Sequence, residues 1–419
     1  MKKNKVILII LLIAFVSVNS YILLTKKTVV NFYSHPDKLG FLNEAINEFE
    51  SKHKNIDINM IELPDNTNEK YEIISSTLAL KDGSIDVIDA DVTWPSIFVN
   101  AGWVENIDTL LPEEERKDYL DSAISSATID GNLYGIPYRI DSGMLYYRSD
   151  LLEKYGFKVP KTWNELIRIS NYIIEKENND KLYGYAGSWF KYEGLTCNYL
   201  EFLWSDGGTF IKDDHSLGSK KSAIKALTTM NDMIYKDKIA PPNVYDLKSG
   251  DLRKLFINGQ LIFMRDWPTG WKYTNKDESL VKGKVKVSPL PYYDNYGKSH
   301  GTYGGWLYMI SKYSTHKKES MEFIKFLTSY EQEKKNALLY NYLPSVKSLY
   351  EDEDILVKMP FINRMNGYFN EAKPRPRVYN YDIISYIIQD EVSNALKGTK
   401  DPKTSIDDMF LRINDLNEK

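Results

Sequence analysis

Between Thr28 and Val92 the chain alternates short apolar runs with amphipathic ones, and this alternation constrains the fold more than any other feature. "TVVNFYS" (Thr28 to Ser34) reads as a strand. "GFLNEAINEFESKHK" reads as a helix with Leu42, Ala45, Ile46 and Phe49 on one face. "IDINMIEL" (Ile56 to Leu63) is the next strand, and a helix over Lys70 to Leu80 leads into "IDVIDADV" (Ile85 to Val92). Strand, helix, strand, helix, strand is the pattern of a parallel α/β sheet. Ligands sit at the carboxyl ends of such strands, and Asp91 and Trp94 occupy one such end.

A chain of 419 residues is too long for one core and suits two or three domains. Met144 to Lys284 is mainly helical and reads as a second lobe. There "MLYYR" is a strand, "SDLLEKYG" a capped helix ending at Gly156, and Thr162 with Glu165 a capping box over the stripe Leu166, Ile169, Ile173. Tyr381 to Gly398 reads as the last helix. Three irregular Pro- or Gly-marked passages, near Pro137 to Asp141, Val287 to Pro291 and Tyr342 to Ser345, read as crossings between lobes with a cleft beside them.

The function classes narrow next. Charged residues at 27% and hydrophobic ones at 42% describe a soluble globular body, and a net charge of −4 argues against a nucleic-acid partner. His35, His53, His215, His300 and His316 are scattered, with no pair at metal-ligand spacing. No Walker A, dinucleotide fingerprint or nucleophile elbow is present, so no cofactor is expected. A glycosidase carboxylate pair stays open among 58 acidic residues, although no motif nominates one. The lone Cys197 excludes an intramolecular disulfide and reads as a small buried apolar residue. At the N-terminus, Lys2, Lys3 and Lys5 precede an apolar run from Val6 to Leu24, about 19 residues and close to a membrane span. Residues 1–27 read as an uncleaved signal-anchor, with a cleaved signal peptide as the rival.

Aromatic side chains beside charges are the informative residues. Asp91 and Trp94 lie in "DADVTWP", Asp141 in "YRIDSG", Trp267 and Trp271 in "RDWPTGW", Trp306 behind Gly304 and Gly305 in "YGGW", and Arg375 in "KPRPRVYNY". A sugar asks for this mixture: its C–H faces lie on indole or phenol, and its hydroxyls bond carboxylates and guanidinium. Each residue also has a plainer role. Asp91 is equally suited to capping the next helix, Trp271 and Trp163 to packing within their lobe, and Arg375 to a solvated loop.

Several stretches together carry a resemblance: "LYGIPYRIDSGMLYYRSDLLEKYG", "YEGLTCNYLEFLWSDGG", "RDWPTGW", "VKGKVKVSPLP", "YGGWLYMISKYS" and "PRPRVYNYDIISYIIQ". The sequence resembles the solute-binding proteins of ABC sugar importers, most closely their trehalose/maltose-binding branch, over nearly everything after residue 27. The resemblance implies a two-lobe periplasmic-binding-protein-like α/β fold of type II with three hinge segments. Residues 28–138 and 288–341 would form one lobe, and 139–287 and 342–419 the other. It implies a monomer that performs no chemistry and delivers a di- or oligosaccharide, a trehalose- or maltose-like α-glucoside, to an ABC permease from the outer face of the membrane. A binding module for a sensor or chemoreceptor would use the same cleft. Asp91 and Asp141 would accept sugar hydroxyls, Trp267 and Trp306 would stack on sugar rings beside the Gly305 backbone, and Arg375 would bond hydroxyls. The glycines would leave the Trp306 face open. Two departures stand out. Arg139 replaces a tyrosine of the family pattern, and Lys38 stands about where an acidic ligand residue is expected. Alternation places Arg139 on the face of Asp141. Both changes would add positive charge at the cleft and favour a sugar with extra acceptor oxygens, acidic or phosphorylated sugars included.

Overall fold

The computed structural model describes residues 27–212 and 216–417, so the apolar run at the N-terminus lies outside the described residues. Among the described residues no helix is long and apolar enough to cross a membrane.

The first sheet starts as expected. Strand β1 (Thr28–Ser34) runs parallel to β2 (Ile56–Glu62) and β3 (Val87–Asp91). The helix Phe41–Lys52 buries Phe41, Leu42, Ala45, Ile46 and Phe49 against it, and the helix Thr67–Ala79 connects β2 to β3. Every residue of β3 is buried, as befits a parallel strand covered on both faces. A small hairpin (β4, Thr128–Ile129; β5, Asn132–Leu133) leads to β6 (Gly135–Ser142). Strand β11 (Thr302–Ile310) enters antiparallel between β3 and β6, so Trp306 faces Asp91 on one side and Arg139 on the other. The short β12 (Lys373–Pro374) pairs with the start of β11.

The second sheet has the order β10 (Val285–Ser288), β7 (Met144–Arg148), β9 (Leu261–Asp266), β8 (Tyr183–Ala186). Around it pack helices that include Trp163–Glu177, Glu193–Trp204, Lys220–Tyr235 and Tyr381–Leu396. The capping box of Thr162 and Glu165 forms, and Leu166, Ile169 and Ile173 are buried. Trp163 stacks on Phe202 with ring centres 4.0 Å apart and bonds Ser205, so it packs within its lobe.

Two local expectations need correction. The helix Ser149–Lys154 has no side-chain cap at its start, because the Ser149 hydroxyl donates to the Lys284 carbonyl on an adjoining segment. Tyr381–Leu396 is not the last helix, since Pro402–Asn417 follows. Pro402 opens it, and Asp401 Oδ1 accepts from the Thr404 N–H, the chemistry of a helix start.

At the first crossing only Gly143 separates β6 from β7. A Cβ at Gly143 would lie 2.0 Å from Glu201 Oε1 and 2.5 Å from an Arg265 nitrogen, so only glycine fits. The passage after Tyr342 first stays with the first sheet: Leu343 bridges Ile140 and Val346 bridges Tyr119. It has reached the second by Lys358, whose carbonyl accepts from Trp271 Nε1.

Candidate functional site

The carboxyl end of β3, the middle of β6 and β11, and the loop after β9 meet between the two sheets. The seven residues expected at the ligand site (Asp91, Arg139, Asp141, Trp267, Gly305, Trp306, Arg375) line one cavity there, of about 200 Å³, whereas Trp94 and Trp271 do not line it. The sheet register explains much of this. Gly304 lies opposite Asp141, and Trp306 lies opposite both Asp91 and Arg139.

The charges are only partly paired. Arg375, buried among prolines rather than solvated, donates to Asp91 at 2.9 Å and to Glu193 at 2.7 Å. It therefore joins the end of β3 to the helix Glu193–Trp204. Asp91 plays its local part too, accepting from the Thr93 N–H and hydroxyl. Glu193 also accepts from Tyr381 and from Ser385, the latter at 2.6 Å. Arg139 and Asp141 do share a face, but their closest approach is 3.7 Å. The Arg139 guanidinium instead lies 3.9 Å from the centre of the Tyr342 ring and 5.3 Å from that of Trp306. Burial, with Asp91 nearby, pushes Asp141 up to about 6 against the pull of Arg139. Among the described residues, the buried atoms Arg139 Nε, Asp141 Oδ1 and Arg375 Nε find no hydrogen-bond partner. A buried polar atom left unpaired costs about 1–3 kcal/mol, so this cavity is built to receive something polar.

Both tryptophans carry cations. Arg265, held by Glu201, lies 4.0 Å from the Trp267 ring centre. Lys70 lies 4.2 Å from that of Trp306, so this ring carries a cation while it lines the cavity. The two glycines before Trp306 have reasons of their own. Gly305 has a φ of +151°, and a Cβ there would meet the Arg139 carbonyl at 2.7 Å. At Gly304 a Cβ would lie 3.2 Å from the Trp267 ring, which rests over the strand. Lys38 does not reach the cavity; it is exposed and paired with Asp65, because the loop after β1 turns outward. Glu193, Tyr342 and Thr67 also line the cavity without having been singled out. Cys197 is buried at its wall, and burial pushes its thiol up to about 12, leaving it a small inert group.

The comparisons with known proteins fit this geometry. The family model for bacterial extracellular solute-binding proteins matches residues 34–334. The chain belongs to that family. A probable ABC transporter-binding protein of Deinococcus radiodurans is 32% identical over 324 residues, covering 76% of each chain. The solved structure of maltose-bound T. maritima MalE3 superposes with a TM-score of 0.87 at 34% identity, over 93% of this solute-binding protein and 99% of the other chain. A solute-binding protein of Thermotoga lettingae bound with α-D-tagatose shares the two-lobe fold, with a TM-score of 0.81, 24% identity and coverage of 93% and 99%. The family is one of transport solute-binding proteins and not an enzyme class.

Proposed function

We propose that this protein binds a di- or oligosaccharide, a trehalose- or maltose-like α-glucoside, in the cavity between its lobes. It then delivers the sugar to the permease of an ABC importer without altering it. The observation that carries the reading is the set of buried, unpaired atoms on Arg139, Asp141 and Arg375 beside two indole rings. Such a site offers hydroxyls both donors and acceptors, and offers C–H faces an aromatic surface. The bound sugar of the T. maritima relative supports an α-glucoside. Lobes divided near 139, 288 and 342 would close over the ligand by hinge motion, as a monomer tethered outside the cell by residues 1–27.

A thermal-shift screen of the soluble body against mono-, di- and oligosaccharides tests this. A true ligand at a hundred times its dissociation constant adds about 2.7 kcal/mol of stability. If no saccharide moves the transition, the reading is wrong. Capture of a sensor kinase rather than a permease by the membrane-retained protein would move it to a signalling role. Recovery of a shorter form lacking Met1 to Lys27 from the medium would end the tether.

A further inference from the structure

Trp267 follows β9, and its ring reaches across to the other sheet. The edge carbons Cζ3 and Cη2 lie 3.2 and 3.4 Å from where a Cβ at Gly304 on β11 would stand. Its backbone is held on both sides: the Trp267 N–H donates to Asp266 at 2.8 Å, and its carbonyl accepts from the Tyr146 hydroxyl at 2.7 Å. Neither bond fixes the side-chain torsions. The group that bears on the ring is Arg265, two residues earlier and so on the same face of the chain. Its guanidinium carbon lies 4.0 Å from the ring centre. Among the described residues no other cation and no aromatic ring lies against this indole.

Arg265 itself has no room to yield. It is 2% exposed and Glu201 3%. Two charge-assisted bonds join them, Nε to Oε2 at 2.8 Å and Nη2 to Oε1, and such a fork fixes the plane of the guanidinium. Glu201 is fixed in turn by the Thr302 N–H at 2.9 Å. Gly143 closes the space beside the pair, since a Cβ there would stand 2.8 Å from the guanidinium carbon. A buried ion pair is a poor way to gain stability, because apolar side chains of similar volume often serve as well or better. A planar guanidinium offers what they lack: it stacks on an aromatic face and is drawn to it. A ring already frozen in its bound orientation also spares the ligand the cost of freezing it.

We propose that Arg265, held by Glu201, is a positioning residue for ligand binding. It locks the Trp267 ring in the orientation that stacks on the ligand, a role that rests on the saccharide reading above.

Calorimetric titration with maltose, maltotriose and trehalose tests this through a double-mutant cycle. Arg265→Lys keeps a charge opposite Glu201 but loses the planar fork. Glu201→Gln combined with Arg265→Met removes both charges and keeps an oxygen for the Thr302 N–H. Each should weaken binding of the tightest of the three sugars by about three- to tenfold, the equivalent of freezing one side chain on binding. With Trp267→Ala already in place, the same changes should cost less than about twofold, because no ring is left to position. A loss in either variant that disappears with the ring supports the assignment. Lysine would preserve a plain ion pair, so such a loss in Arg265→Lys is not that of a salt bridge. Losses equal in both backgrounds, or no loss in either variant, would overturn the positioning role and leave the pair purely structural. A parent that binds none of the three sugars would overturn the α-glucoside reading itself, and the positioning role with it.

Discussion

Lys70 holds its ammonium 4.2 Å from the centre of the Trp306 ring. The lysine is only 3% exposed, and burial lowers it to about 8, with Asp89 opposing and Arg139 adding to the effect. Asp89 is already engaged by His35, Ser34 and Tyr138. The cation is thus held mainly by an aromatic face, which returns only part of the cost of burying it.

The first prediction follows from that cost. Between pH 8 and the unfolded value near 10.4, the unfolded chain keeps the Lys70 proton and the folded one releases it, so stability rises with pH in that window. Below pH 8 the whole penalty is present. Lys70→Met should therefore stabilise the protein at pH 7 by on the order of 1–3 kcal/mol and abolish the rise above pH 8. Denaturant titrations at pH 7 and pH 10 check this; a less stable variant at pH 7 would show that the ammonium is better compensated than its contacts imply.

Glu333 gives the opposite slope. The Ser345 hydroxyl lies 2.8 Å from the Pro137 carbonyl and 2.5 Å from Glu333 Oε1. A hydroxyl has one proton, and the carbonyl can only accept, so both contacts are satisfied when Glu333 is protonated and donates to Ser345. Its other oxygen accepts from the Ser345 and Val346 N–H groups. Burial, partly opposed by these bonds, pushes Glu333 up to about 8. From an unfolded value near 4.3 up to pH 8 the folded state binds a proton that the unfolded one lacks, so stability falls as pH rises. Glu333→Gln reproduces the protonated pattern with an amide. It should be more stable than the parent at pH 8, by on the order of 1–3 kcal/mol, and should lose this pH dependence. Melting curves from pH 5 to 8 decide it, and an unaltered slope would reject the assignment.

The tryptophans should separate binding from folding. Trp267→Ala and Trp306→Ala each remove a ring that lines the cavity and should weaken sugar binding by on the order of 1–3 kcal/mol. Trp163→Ala removes the ring stacked on Phe202 and should cost roughly 3–5 kcal/mol of stability with affinity kept. If calorimetry finds both cavity variants binding like the parent, stacking is not their role.

Asp141 should make binding pH-dependent. With its carboxyl pushed up to about 6, protonation removes the acceptor that two sugar hydroxyls would share, so affinity should fall as pH drops from 7 to 5. Replacing Arg139 by Gln removes the guanidinium that opposes this rise and should shift the midpoint upward. Asp141→Asn should bind more weakly throughout and show no midpoint. A flat profile in the parent would place Asp141 outside the ligand's reach.

Much of this was legible in the sequence where the signal is local. Strands β1 to β3 and their helices announce themselves by period, and Asp91, Asp141, Trp267 and Trp306 by standing beside strand ends and Gly- or Pro-marked passages. Glu193 was not legible, because its role comes from Arg375, 182 residues away, and an acid in a helix's first turn is ordinary. Lys70 and Tyr342 were missed for the same reason: each matters through a ring or guanidinium brought in by another element. Lys38 shows the converse error, since position in the chain suggested the cleft and the turn after β1 gave its charge to Asp65.

Glu201 fastens three pieces of chain at one spot. It grips Arg265 on β9, accepts from the Thr302 N–H at the start of β11, and lies where a Gly143 side chain would stand. Arg265 anchors the carboxylate in the second sheet, and the Thr302 N–H draws on it from the first. Under the hinge motion proposed above the lobes would turn about this point, since losing the Thr302 bond would leave a buried N–H unpaired at a cost of about 1–3 kcal/mol.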